Sequence, residues 1–119
     1  MSDKLLFISR SPPYGSGRAR ALLELSLAAA VFEQDVDMLF LGDGVYQLLR
    51  DQDGAAIESK TLGNALEALE LYGIERPGVE AAALETRGIA AGDLVIEVEP
   101  LAADSIRRRI AAAGTVFNL

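Results

Sequence analysis

Short apolar runs alternate with stretches of helical period from one end of this chain to the other, and that alternation leaves few folds open. Lys4 to Ser9 (KLLFIS) is short and hydrophobic on both faces, as a parallel strand covered on both sides must be. Arg10 to Gly17 (RSPPYGSG) holds two prolines and two glycines, which end the strand and bar a helix. Arg18 to Gln34 then reads as a helix. Leu22, Ser26, Ala29 and Ala30 lie near one face with Leu23, Leu27 and Val31 beside them, a stripe wide enough to pack on a sheet. Asp37 to Leu41 (DMLFL) is the second strand, and Gly42-Asp43-Gly44 turns the chain into a short helix from Val45 to Arg50. Asp51 to Lys60 is a polar loop.

The second half repeats the alternation. Thr61 to Tyr72 is a helix with Leu62, Leu66, Leu69 and Tyr72 on one face, stopped at Gly73. Val79 to Leu84 (VEAAAL) reads as a third strand running into a helical turn around Glu85 to Gly88. Leu94 to Val98 (LVIEV) reads as a fourth strand, closed by Pro100. Ala102 to Ala113 is the last helix, with Ala103, Ile106 and Ile110 inward. Asp104 near its start and Arg107, Arg108 and Arg109 later match the helix dipole. Thr115 to Leu119 is a terminal strand. Strands separated by helices require right-handed crossovers into a mostly parallel sheet. The expectation is one α/β domain over residues 1–119: three layers, a mostly parallel five-stranded sheet, Rossmann-like.

Composition then excludes chemistry. The chain contains no cysteine and no histidine. Zinc constellations, thiol nucleophiles and Ser-His or Cys-His dyads are therefore closed to it, and no sulfur can be carried on it as a persulfide. No cofactor or metal site is expected, although carboxylates alone can ligate Mg²⁺ or Ca²⁺. A net charge of −7 repels phosphate backbones and anionic membranes, so direct contact with nucleic acid or membrane is not expected. The apolar run at Leu5 to Ile8 is too short for a signal segment or a membrane span, and the expected location is the cytoplasm. Apolar residues with glycine make up about 57% of the chain, above the usual 45–50%. Two readings stand: an alanine-rich composition, or a surplus that lies at a subunit interface.

Four features invite a functional reading. In open α/β sheets ligands bind at the carboxyl ends of the strands, where the first loop lies. Gly15 and Gly17 allow close backbone approach there, and Arg18 in the first helical turn could attract an anion. The loop is otherwise a plain connection or a subunit contact, since Arg20 stands where a third fingerprint glycine would fall. Asp43 at a strand end could ligate Mg²⁺ or accept a phosphoryl group, but no acidic pair or lysine accompanies it, and a helix N-cap explains it with fewer assumptions. Glu80 interrupts an apolar segment, as an acid or base with a raised pKa or as a residue of a sheet edge or interface. The three successive arginines span most of a helix circumference and read as a solvated face with one or two intersubunit ion pairs.

Several separated segments together resemble one family. They are Ser11-Pro12-Pro13-Tyr14-Gly15 with Gly17-Arg18, then Asp43-Gly44-Val45-Tyr46-Gln47-Leu48-Leu49, then Leu69 to Ile74, Val79 to Ile89, and Leu101-Ala102-Ala103-Asp104 with Arg107-Arg108. In this order they are similar to the TusC/DsrF family, within the wider DsrE/DsrF-like sulfur-relay group, with the Asp43 block the most specific. The resemblance implies a five-stranded parallel sheet flanked by helices and a heterohexamer with two copies each of three related subunits. TusBCD complexes relay sulfur toward 2-thiouridine at the tRNA wobble position, and DsrEFH complexes serve sulfur oxidation. In both, the sulfur-carrying cysteine belongs to the TusD/DsrE-type subunit, in a segment like Val79 to Ile89. Here Glu80 follows Val79, and Tyr14 stands where relatives often have histidine.

The resemblance thus implies a non-catalytic subunit with TusB- and TusD-like (DsrH- and DsrE-like) partners. Its interface or pocket-lining residues would be Tyr14, Gly15, Gly17, Arg18, Asp43, Gly44, Tyr46, Gln47 and Glu80. The rival readings are a DsrF-like subunit in sulfur oxidation, a free-standing module binding an anion or nucleotide, and a homo-oligomer formed by the isolated chain.

Overall fold

The computed structural model describes residues 3–12, 17–49, 65–74 and 76–118. The five strands are β1 (Leu5–Ser9), β2 (Val36–Phe40), β3 (Gly78–Glu80), β4 (Glu99–Leu101) and β5 (Thr115–Asn118). They form one sheet in the order β4-β3-β2-β1-β5, and every pairing is parallel. The expected α/β architecture is thus borne out, with the sheet wholly rather than mostly parallel.

Alternate residues of the strands separate the core into two layers. Phe7, Met38, Phe40 and Val79 face one way. Against them pack Leu22 and Leu23 of helix α1 (Arg18–Val31), Leu66 and Leu69 of helix α2 (described over 65–71), and Ala83 and Leu84 of helix α3 (Ala81–Thr86). Val45 and Leu48 of a 3₁₀ helix, Gly42–Leu48, complete this layer. Leu6, Ile8, Leu39 and Leu41 face the other way, under Ile106 of helix α4 (Ala103–Ala112). Among the described residues, α4 in the crossover from β4 back to β5, beyond β1, is the helix on that second face, as right-handed connections require.

The sheet departs from the sequence expectation in its second half. The third strand ends at Glu80, and Ala81 to Leu84 is already helical, because three successive alanines favour helix once Glu80 has turned the chain. Residues 94–98 are not a strand. Leu94 makes a single bridge to Leu49, and the fourth strand is Glu99–Leu101, with Pro100 inside it. β4 is an edge strand, where proline is tolerated because no outer neighbour needs its N–H. α1 ends at Val31 rather than Gln34, since Phe32 caps it and Glu33 takes φ 61°. Arg50, the 51–60 loop and the start of the helix expected at Thr61 lie outside the described residues.

Arg109 is not a solvated arginine. From α4 it crosses the sheet and donates through Nη1 to Asp37 of β2 (3.2 and 3.3 Å) and through Nη2 to Glu99 of β4 (2.5 Å). β3 lies between those strands, and at Gly78 it has no side chain to obstruct the crossing. A methyl group there would lie 2.5 Å from Leu39 Cδ2, 2.7 Å from Leu101 Cδ1 and 3.1 Å from Arg109 Nη1. Arg107 and Arg108 stay on the exposed side and bond Asp104 and Ser105 of their own helix. No helix among the described residues is long and apolar enough to cross a membrane.

Gly78→Ala should therefore lower unfolding free energy by about 1–3 kcal/mol through overpacking between two buried leucines. Arg109→Ala should lower it by a similar ~1–3 kcal/mol, because Asp37 and Glu99 lose their shared partner. Urea unfolding midpoints check both.

Candidate functional site

Because the strands are parallel, their carboxyl ends open on the same side of the sheet, and most of the residues singled out above converge there. β1 delivers Ser9, buried at 1% exposure. β2 continues through Leu41, whose N–H donates to Ser9 O (3.0 Å), into the 3₁₀ helix. β3 delivers Glu80.

Gly44 is what lets the 3₁₀ helix reach β1. A Cβ on Gly44 would collide with the carbonyl oxygen of Ser9, lie 2.8 Å from its carbonyl carbon and 3.3 Å from Arg10 Cα. These are backbone atoms and cannot rotate aside. The close seat buries Gln47, which donates from Nε2 to Ser9 Oγ (2.5 Å) and to Ser11 O (2.8 Å). One amide thus ties the 3₁₀ helix to the end of β1 and to the start of the first loop. The Asp43 to Leu49 block, read from sequence as a working surface, is half interior: Gly44, Val45, Gln47 and Leu48 are buried.

Asp43 does not cap this helix. The N-cap residue is Leu41, which has no polar side chain, and Asp43 lies in the first turn. Its carboxylate instead accepts from Arg87 Nη2 at 2.8 Å, across 44 residues of sequence. Arg87 follows α3, donates from Nη1 to Ala83 O (3.2 Å), and lies over the Tyr46 ring at 5.6 Å. The hydrogen bond to Asp43 is the main reason the guanidinium pKa is held above its ordinary value, so Arg87 stays cationic at any working pH. Glu80, partly buried, accepts from Gly42 N–H at 2.9 Å, where the chain turns at φ 52°. Both carboxylates are therefore engaged as acceptors that shape the turn after β2.

The structure brings together Asp43, Gly44, Tyr46, Gln47 and Glu80. Gly17 and Arg18 lie at the N-terminus of α1, where Gly17 is the N-cap residue and both are exposed. Tyr14 and Gly15 lie outside the described residues. Sequence reasoning missed Ser9, Ser11 and Arg87. The signal for Arg87 was a basic residue after the third strand facing an acidic one after the second, which becomes legible only when strand order is known. Among the described residues, no group of three or more acidic side chains is placed to hold a metal ion. The cluster offers one fixed cation, an aromatic ring exposed at 36% and hydrogen-bonded carboxylates, held in one arrangement by bonds within the fold.

A parallel sheet ordered 4-3-2-1-5 with helices on both faces defines a small α/β, Rossmann-like domain. The chain belongs to the DsrE/DsrF-like family, whose model matches residues 3–119. It is 39% identical to a TusC homolog of Pseudomonas aeruginosa over the full length of both chains, and 36% identical to one of Vibrio parahaemolyticus over 98% of each. It is 42% identical to the intracellular sulfur oxidation protein DsrF of Allochromatium vinosum, over 77% of this chain and 68% of that protein. Among solved structures, the YchN protein of Escherichia coli superposes over the whole of both chains with a TM-score of 0.84 at 23% identity, a likeness of fold.

Gly44→Ala should cost about 3 kcal/mol or more, the upper end for overpacking, because only backbone can yield. Gly17→Ala meets nothing within 4 Å and should change stability by less than about 1 kcal/mol. Thermal unfolding of the two variants side by side reads the contrast.

Proposed function

We propose that this chain is a non-catalytic, cytoplasmic subunit of a TusBCD-like sulfur relay complex that supports 2-thiouridine formation at the tRNA wobble position. One observation carries the reading: a chain similar end to end to TusC proteins contains no thiol. Relay of sulfane sulfur is attack of a thiolate on a persulfide or disulfide sulfur, and it needs a cysteine on each carrier. The contribution left to this chain is to hold and shape the subunit that has one. The cluster at the carboxyl edge of the sheet suits that role. Gly44 and Gln47 fix it from below, while Tyr46, Asp43, Arg87 and Glu80 form its outer part, and Tyr and Arg are residue types enriched where interfaces bind tightly. TusB- and TusD-like subunits are the partners this reading requires, and tRNA meets another component, as the charge of −7 favours.

The DsrF likeness supports sulfur oxidation as the second reading. It covers 77% of this chain, whereas the Pseudomonas and Vibrio parahaemolyticus TusC likenesses cover 98% or more of each chain, and that difference favours the relay to tRNA.

Co-expression with TusB- and TusD-like subunits from the same genome should give a stable ternary complex, measured by co-purification and light scattering. Deleting the gene should abolish wobble 2-thiouridine by nucleoside mass spectrometry, and the chain carrying Tyr46→Ala and Arg87→Ala should restore less than the unaltered chain. Transfer of labelled sulfane sulfur onto the pure single chain would defeat the proposal.

A further inference from the structure

Residues 94–98 carry strand-type side chains outside the sheet, and their segment is pinned at its two ends. Leu94 bridges Leu49 and Val95 N–H donates to Leu48 O (2.8 Å), while Glu99 N–H donates to Pro77 O (3.0 Å) where β4 begins. Between these points, among the described residues, the N–H groups of Ile96, Glu97 and Val98 make no hydrogen bond. The segment borders a cavity of about 510 Å³. That volume falls within the roughly 300–1,000 Å³ of small-molecule sites.

The cavity has an apolar wall and an uneven distribution of charge. Leu84, Leu94 and Val98 are buried, and Val95 and Ile96 are half-buried beside them. Among the described lining residues the charged ones are Arg76 and Glu97, and they are not equivalent. Arg76 is fixed to the wall, since its Nη2 donates to Val98 O (3.2 Å). It also borders a second cavity with Lys4 and Arg109, where Asp37 already accepts from Arg109. Glu97 is exposed and also borders a third cavity, with Glu67 and Glu70. Cations thus gather toward Arg76, and acids gather on the α2 side of the same segment.

We propose that this cavity binds a small organic carboxylate with an apolar body, its body against Leu84, Leu94 and Val98 and its carboxylate on Arg76. A guanidinium has five N–H donors, so Arg76 can keep Val98 O and still offer a carboxylate two parallel donors. Lys4 and Arg109 beyond it add to the field that an anion meets. The wall selects the body, because a polar body would lose its water there with nothing to replace it. The inference goes beyond the relay reading and does not rest on it. None of the lining residues named belongs to the Asp43–Arg87 cluster.

Titration of the purified chain with octanoate, followed by backbone amide NMR shifts and by calorimetry, tests this. Saturable shifts centred on residues 84 and 94–98 are expected. Octylamine, with the same apolar body and the opposite charge, should bind at least about tenfold more weakly. Arg76→Gln changes an exposed side chain, and should raise the octanoate dissociation constant at least about tenfold with the fold retained in thermal unfolding. Ala91→Trp, at an exposed lining position, should fill the cavity and abolish binding. Octanoate shifts that do not saturate, or that centre elsewhere, overturn the proposal. So does octylamine binding as tight as octanoate, or octanoate binding that both variants leave intact.

Discussion

All five strands run in one direction, and the rest of the structure follows from that. A parallel sheet cannot be closed by hairpins, so each strand must be followed by a crossover that covers one face. Four strands laid out in sequence order place α1, α2 and α3 together on one side. The return to β5 places α4 on the other. The same direction puts every segment that leaves a strand at one edge, which is why residues as far apart as Ser9, Asp43 and Arg87 become neighbours.

That arrangement demands close approach at two points, and in each a glycine stands where the backbones or side chains are nearest. Gly44 lets a 3₁₀ helix rest on the carbonyl of Ser9, and without that seat Gln47 could not reach both Ser9 and Ser11. Gly78 lets Arg109 pass over the middle strand to acids on the two flanking it. The first contact positions the carboxyl edge. The second ties down the helix that turns the chain back toward β5. The polar groups involved are largely satisfied within the fold, so the described surface gains definition rather than reactivity from them.

Much of this was legible in the residues, and the failures have physical causes. KLLFIS and DMLFL are apolar on both faces, and their burial follows directly. VEAAAL was harder, because an apolar run of six fits a strand or a buried helix equally well. Alanine's helical preference decided it one residue after Glu80. LVIEV has the composition of a strand and Pro100 reads as its terminator, yet Pro100 lies within the edge strand itself. Asp43 followed the local rule for a cap and obeyed a distant cation instead. Local rules see only what lies within a turn or two, and the Arg87 and Arg109 contacts join residues brought together by strand order. The family resemblance covered the gap, because it drew on the whole chain at once.

The absence of thiol and imidazole gives the carboxyl edge its meaning. In a fold whose relatives are named for sulfur metabolism, this chain places a carboxylate at the end of β3 and occupies it with the N–H of Gly42. A carboxylate held in that way fixes the turn it accepts from. It is a good anchor, because the turn it fixes carries Asp43 and, through Asp43, Arg87. The step from Glu80 to Arg87 is thus a chain of geometry, and what such a chain holds fixed is position.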